Sequence, residues 1–245
     1  MSDPVRVALV AEGPTDGIVI EAALLAMMGD REFVLTQLQP EGSVAFGHLG
    51  TGWVGVYRWC RQAASRGGGR LSGDALLFGT YDVVVLHVDA DVAAKKYSEG
   101  AVEPQATDGE LPCERTCPPA SATTNVLRTV LLSWCGESTV PAGSVVCIPS
   151  KSTDAWVIAT LFPGDPAMRT GIECCLDPGS RLGLQRKGDR IKKTQRDYRA
   201  RASLISSSWP RIARQGVCGE AHRFETEFRG HCRHRLILCD HIQRG

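Results

Sequence analysis

Apolar residues along the chain fall into short β-branched runs separated by longer stretches of helical spacing, the alternation expected of strands joined by crossover helices. The first run, Val7 to Val10, stops at Glu12-Gly13-Pro14 and predicts a strand buried on both faces that ends in a tight turn. Thr15 or Asp16 stands where a cap belongs, and Ile18 to Met28 (IVIEAALLAMM) is apolar around most of its circumference, so it predicts a helix lying flat on the sheet. Glu32 to Leu38 alternates and predicts a second strand. Pro40 to Gly55 predicts a loop. Trp53 to Ser65 has helical spacing and is broken by Gly67-Gly68-Gly69, a connector rather than a phosphate loop, since no Lys-Ser/Thr follows it.

Tyr81 to Val88 (YDVVVLHV) is the strongest strand of the sequence and runs into Asp89-Ala90-Asp91. Ser98 to Pro119 predicts a long surface excursion, or a lid over whatever the strand ends hold. Ala122 to Gly136 predicts a helix. Ser144 to Ile148 predicts a further apolar strand, and Pro149-Ser150-Lys151 leads from it into a helix from Asp154 to Leu161. Arg181 to Arg201 is strongly basic, either a charged helix or a partly ordered loop. Ala202 to Ala213 and Glu220 to Phe228 predict short helices, and Leu236 to Cys239 a last strand or helical turn. The fold class that follows is α/β: a mostly parallel central sheet flanked by helices over residues 1–165, with a basic, mainly helical extension over residues 166–245 packed on it.

Composition adds bounds. The chain has 245 residues, 43% hydrophobic and 22% charged, as in a globular protein able to bury a core without metal or disulfide staples. No apolar run approaches the roughly 20 residues of a membrane span, and Ser-Asp-Pro after Met1 is unlike a leader, so the expectation is a cytoplasmic protein with no membrane contact. The 10 cysteines, with Cys60 and Cys147 inside predicted elements and Cys174-Cys175 adjacent, suit buried free thiols better than a disulfide framework. Cys113-x-x-x-Cys117 lacks a second pair at zinc spacing. The His231, Cys232, His234, Cys239, His241 group near the end lacks regular pairing.

The net charge of +1 hides an asymmetry: residues 1–130 carry 10 Lys/Arg against 16 Asp/Glu, and residues 169–215 carry 12 against 4. The basic segment, with Arg186, Lys187, Arg190, Lys192, Lys193 and Arg196, is either a solvated face or a grip on a polyanion such as DNA or RNA. The acidic part holds the candidate chemistry. Glu12 and Asp16 lie one helical turn apart after the first strand. Asp89 and Asp91 follow the central one, where each is either a helix cap or, since like charges held close need compensation, a ligand of a divalent cation. Lys151 and Asp154 arrive at the same sheet edge, Asp154 being otherwise a first-turn partner of the helix dipole.

Glu12-Gly13 after the first strand and Asp89-Ala90-Asp91 after a later central one resemble the TOPRIM domain of topoisomerases, bacterial primases, recombination mediators and overcoming-lysogenization-defect nucleases. Glu12-Gly13-Pro14-Thr15-Asp16 is most similar to the version in those nucleases and in small stand-alone TOPRIM-like proteins. Asp154 stands where the stand-alone members carry Glu, a shorter reach to a metal. The resemblance, over roughly residues 5–160, implies Mg²⁺ (or Mn²⁺) on Asp89 and Asp91. Glu12 would serve as ligand or general acid/base at a phosphodiester. Asp16, Asp154 and Lys151 would complete a second metal position and stabilise charge on the phosphate. It further implies a nuclease of a defence or mobile-element system, with an ATPase partner or a homo-oligomer as its assemblies. The competing expectation is a non-catalytic module of the same fold that binds nucleic acid or a partner. Neither a topoisomerase, which needs a nucleophilic Tyr on a separate gate domain for which these residues leave no room, nor a primase, which needs an accompanying zinc and polymerase-flanking regions, is the expectation.

Overall fold

The computed structural model describes residues 3–41, 49–169 and 171–242, with side chains to residue 231. Four strands form one all-parallel sheet: β1 (Val5–Val10), β2 (Phe33–Gln39), β3 (Val83–His87) and β4 (Ser144–Cys147), in the order β2-β1-β3-β4. The helices are α1 (Pro14–Met28), α2 (Gly52–Arg66), α3 (Ala75–Thr80), α4 (Ser121–Trp134), α5 (Asp154–Leu161), α6 (Pro166–Arg169), α7 (Pro178–Gly183), α8 (Gln195–Arg199), α9 (Ala202–Trp209) and α10 (Gly219–Ile242). The expected α/β class with a parallel, helix-flanked sheet is what the chain adopts. Leu236 to Cys239 fall inside α10, so the alternative of a last strand there does not hold.

Period-two alternation along the strands divides the core. Val7, Leu9, Val85 and Val145 face a layer built from α1, α5 and the helices after residue 165. Ala8, Val10, Val84 and Leu86 face a layer built from α2, α4 and the segment between β3 and α4. In the first layer Trp156 of α5 meets Trp209 edge-on with ring centroids 5.1 Å apart and stacks on Phe224 at 6.2 Å. Residues beyond 165 thus complete the cover of the sheet: Ile191, Tyr198, Ile205, Trp209, Phe224 and Phe228 are buried in the same cluster as Val7 and Leu9.

Three local readings change. The residue at the N-cap of α1 is Gly13, with Pro14 opening the helix, and Asp16 makes its hydrogen bond across to Thr153 instead of capping its own turn. The 98–119 excursion is pinned to the α2/α4 layer and to the turn that follows Asp89. Tyr97 Oη donates to the Gly109 carbonyl at 2.7 Å, Cys113 N to the Ala93 carbonyl at 2.7 Å, and Tyr57 Oη to Asp108 at 2.9 Å. Among the described residues six cysteines are free thiols, five of them buried, but Cys117 and Cys174 form a disulfide with Cα atoms 5.6 Å apart. Their sequence separation of 57 residues concealed the pairing, which ties the excursion to the segment after α6. Among the described residues no helix is long and apolar enough to cross a membrane.

Between α4 and β4, on the side where β4 enters the sheet, Glu137 closes the glycine connector. It accepts from Arg70 Nη2 at 2.7 Å and from Ser72 N at 2.8 Å. Gly136, at φ +68°, approaches Gly69 so closely that a Cβ there would lie 1.9 Å from the Gly69 carbonyl oxygen. Burial alone would raise the Glu137 carboxyl, but the Ser72 and Arg70 donors outweigh it and hold it below its ordinary value. A depressed folded-state pKa favours the ionised form, so this stabilisation is complete above the ordinary carboxylate range, about pH 4–5, and is lost as pH falls through the folded value. Glu137→Gln should therefore lower urea stability by about 1–3 kcal/mol at pH 7 and by progressively less below about pH 4. A variant whose deficit is the same at pH 7 and pH 3 would contradict this.

Candidate metal centre at the carboxyl end of the sheet

Between β1 and β3 the chain order reverses, since β1 leads outward to β2 and the chain then crosses back to β3. In open parallel sheets the crevice beyond such a reversal is where ligands bind. Glu12 leaves β1 and Asp89 leaves β3 at this crevice, and Asp89 N donates to Glu12 Oε1 at 2.7 Å. Asp89 opens a 3₁₀ turn, Ala90–Ala94, that is anchored on the loop after β4: Ala90 N donates to the Pro149 carbonyl and Asp91 N to the Lys151 carbonyl, both at 3.1 Å. Although Asp89 stands at the cap position of this turn, its side chain makes no capping bond. The carboxylate instead receives Thr153 N at 3.2 Å, from the entrance of α5. Thr153 also donates its hydroxyl to Asp16 Oδ1 at 2.7 Å, so a single buried residue orients carboxylates from two other elements.

Glu12, Asp89 and Asp91 each offer an oxygen within 4.8 Å of the others. Asp16, His87 and Asp89 offer a second such group, sharing Asp89 and wholly buried. Burial, then the proximity of Asp89, pushes the Glu12 carboxyl well above its ordinary value. Burial, then Asp16 and Asp91, does the same to Asp89. Burial raises Asp91 and lowers the His87 imidazole. Such shifts mark a site where negative charge is gathered with less compensation than it needs.

Asp154 sits apart from both groups. Tyr198 Oη donates to its Oδ1, Lys193 Nζ lies 3.5 Å from its Oδ2, and Gly179 closes on it so tightly that a Cβ would stand 2.9 Å from Oδ2. Asp154 thus anchors the C-terminal segment through Tyr198 and Lys193. Lys151, at φ +63°, has its ammonium paired with Glu114 of the excursion and not with the carboxylates beyond the strands. Burial alone would depress the Lys193 ammonium, but Asp154, Asp16 and Asp89 outweigh it and hold it above its ordinary value. Of the basic residues expected to contact nucleic acid, Lys193 therefore turns toward the acidic crevice. Arg186, Lys187, Arg190 and Lys192, between α7 and α8, and Arg196, in α8, are exposed along a segment held in place by buried Ile191 and Tyr198.

No protein-family model, curated protein or solved structure matches the chain.

Residues missed from the sequence were His87, Thr153 and Tyr198. His87 had a signal, as the one ionisable side chain inside an otherwise apolar strand. Thr153 and Tyr198 had none, because their partners lie 137 and 44 residues away. Chemically, Glu12, Asp89 and Asp91 form a hard, oxygen-only set suited to Mg²⁺ or Mn²⁺, partly open to solvent through exposed Asp91. The His, Cys group near the C-terminus falls, apart from His231, outside the residues whose side chains are described. Tyr198→Phe should leave buried Asp154 short of one donor and cost about 1–3 kcal/mol in urea unfolding. An unchanged midpoint would show that the Tyr198 hydroxyl does not hold the segment down.

Proposed function

We propose that the chain is a divalent-cation-dependent phosphodiester hydrolase acting on nucleic acid. The observation that supports this best is the convergence of Glu12, Asp89 and Asp91 within 4.8 Å at the reversal of strand order, with Asp89 held by a backbone N–H and free of any capping role. Three carboxylates so placed are costly without a cation and fit one with hard oxygen ligands. Glu12, Asp89 and Asp91 would hold Mg²⁺, which when bound supplies Lewis-acid polarisation of a phosphoryl oxygen and a water of lowered pKa.

The remaining work falls to the chain. Glu12 braces the Asp89 backbone, so the two strand ends keep a constant spacing as substrate enters. Asp91 stands at the solvent side, where a phosphate would approach. Lys193 places a cation beside the crevice, suited to a phosphate oxygen, and the exposed Arg and Lys side chains that flank it extend that positive track along a polyanion. A nucleic acid is favoured over a small phosphoester for this reason, as a single phosphate would engage only one or two of these cations.

Asp89→Asn keeps the side-chain shape and removes the charge. It should abolish Mg²⁺-dependent cleavage of nucleic acid and erase the Mg²⁺-induced thermal shift. It should also raise the metal-free melting temperature by about 2–4 °C per kcal/mol of relieved repulsion. A wild-type chain with neither cleavage nor a Mg²⁺- or Mn²⁺-dependent shift would leave only a binding module. Separately, replacing Arg186, Lys187, Lys192 and Arg196 with Ala should flatten the dependence of affinity on salt, by about 0.9 in log K per log salt for each duplex phosphate that the segment no longer neutralises. An unchanged slope assigns the segment to solvent.

A further inference from the structure

The second group at the acidic crevice contains a nitrogen donor, and that changes which ion it suits. His87 ends β3 on the face covered by α1 and α5, is 0% exposed, and has no hydrogen-bond partner at either ring nitrogen. Its Nε2 lies 3.2 Å from Asp89 Oδ1 but is not aligned to donate to it. A buried imidazole with both nitrogens unpaired forfeits what polar groups in a protein interior ordinarily recover, and such a group calls for a missing partner. Carboxylate oxygens lie within reach of it: Asp16, His87 and Asp89 place one ligand atom each within 4.8 Å of one another. Asp16 and Asp89 are both oriented by Thr153, through its hydroxyl and its N–H, in the manner of the outer donors that hold metal ligands in place.

We propose that Asp16, His87 and Asp89 form a second cation position, and that its imidazole makes it a position for a first-row transition-metal dication, Mn²⁺ or Zn²⁺, in preference to Mg²⁺. The inference rests on reading the crevice as a metal centre, but not on hydrolysis. Mg²⁺ demands oxygen ligands and dehydrates reluctantly, so it suits the partly open Glu12, Asp89, Asp91 group. A buried set of one imidazole and two carboxylates offers little room for retained water and a donor that transition metals accept. Asp89, common to both groups, would bridge the ions. The crevice would then discriminate between cations by position.

Mn²⁺ alone is the probe. In the full chain with Mg²⁺ in large excess, electron paramagnetic resonance should show one equivalent of Mn²⁺ still bound, and spin-echo modulation should show a directly coordinated imidazole nitrogen. His87→Gln should lose that Mg²⁺-resistant equivalent, whereas Asp91→Asn should keep it. Mn²⁺ that shows no nitrogen coupling and is fully displaced by Mg²⁺ would overturn the proposal while leaving the hydrolase reading intact. Nitrogen coupling that survives His87→Gln would likewise overturn it, by placing the ion on another histidine. No Mn²⁺ bound at all would overturn both readings. Should His87→Gln fail to fold, the wild-type nitrogen coupling and its resistance to Mg²⁺ decide the matter.

Discussion

Repulsion among carboxylates gathered at the carboxyl end of a parallel sheet is the constraint on which the other features of this structure depend. Glu12 and Asp89 arrive there because β1 and β3 are neighbours across the reversal of strand order, and Asp16 because α1 starts one tight turn after Glu12. Charges so close and so far from water must be offset by donors, by cations from the chain or by bound ions. The structure uses the first two in part. Thr153 serves two carboxylates, the Asp89 N–H serves Glu12, and Lys193 leans in from the distant C-terminal segment.

That need links the two parts of the chain. The segment after residue 165 is basic on its outside and aromatic on its inside, and each property has a separate role. Trp209, Phe224 and Phe228 complete the layer that α1 and α5 leave open over the sheet. Tyr198 and Lys193 meanwhile close on Asp154, at the first turn of α5. Removing this segment would expose the apolar face of a parallel sheet, which such sheets do not leave uncovered. The same elements that make the core therefore bring a cation to the crevice.

The excursion between β3 and α4 is held the other way, by the far side of the sheet. Its polar and aromatic interactions, with the Tyr57, Tyr97 and Trp134 cluster at their centre, fasten it to the layer behind the sheet. The Cys117–Cys174 disulfide joins it to the C-terminal segment. At the crevice rim its Glu114 pairs with Lys151 and takes up the lysine that the sequence had suggested for the phosphate.

The hydrophobic pattern by itself determined the parallel strands, the helices that flank them and the delivery of Glu12, Asp89 and Asp91 to strand ends, because these follow from local periodicity and from turn residues such as Gly13-Pro14. His87 stood in the same pattern as an ionisable residue in an apolar strand, with nothing to say what it faced. Only the tertiary structure decided that Asp16 and His87 share a buried face, that Thr153 binds two carboxylates, and that Asp154 holds Tyr198 and Lys193. These pairings join residues dozens of positions apart. Local spacing carries no information about them, because the partner of a polar side chain is chosen by the strand order and by how the layers close over the sheet.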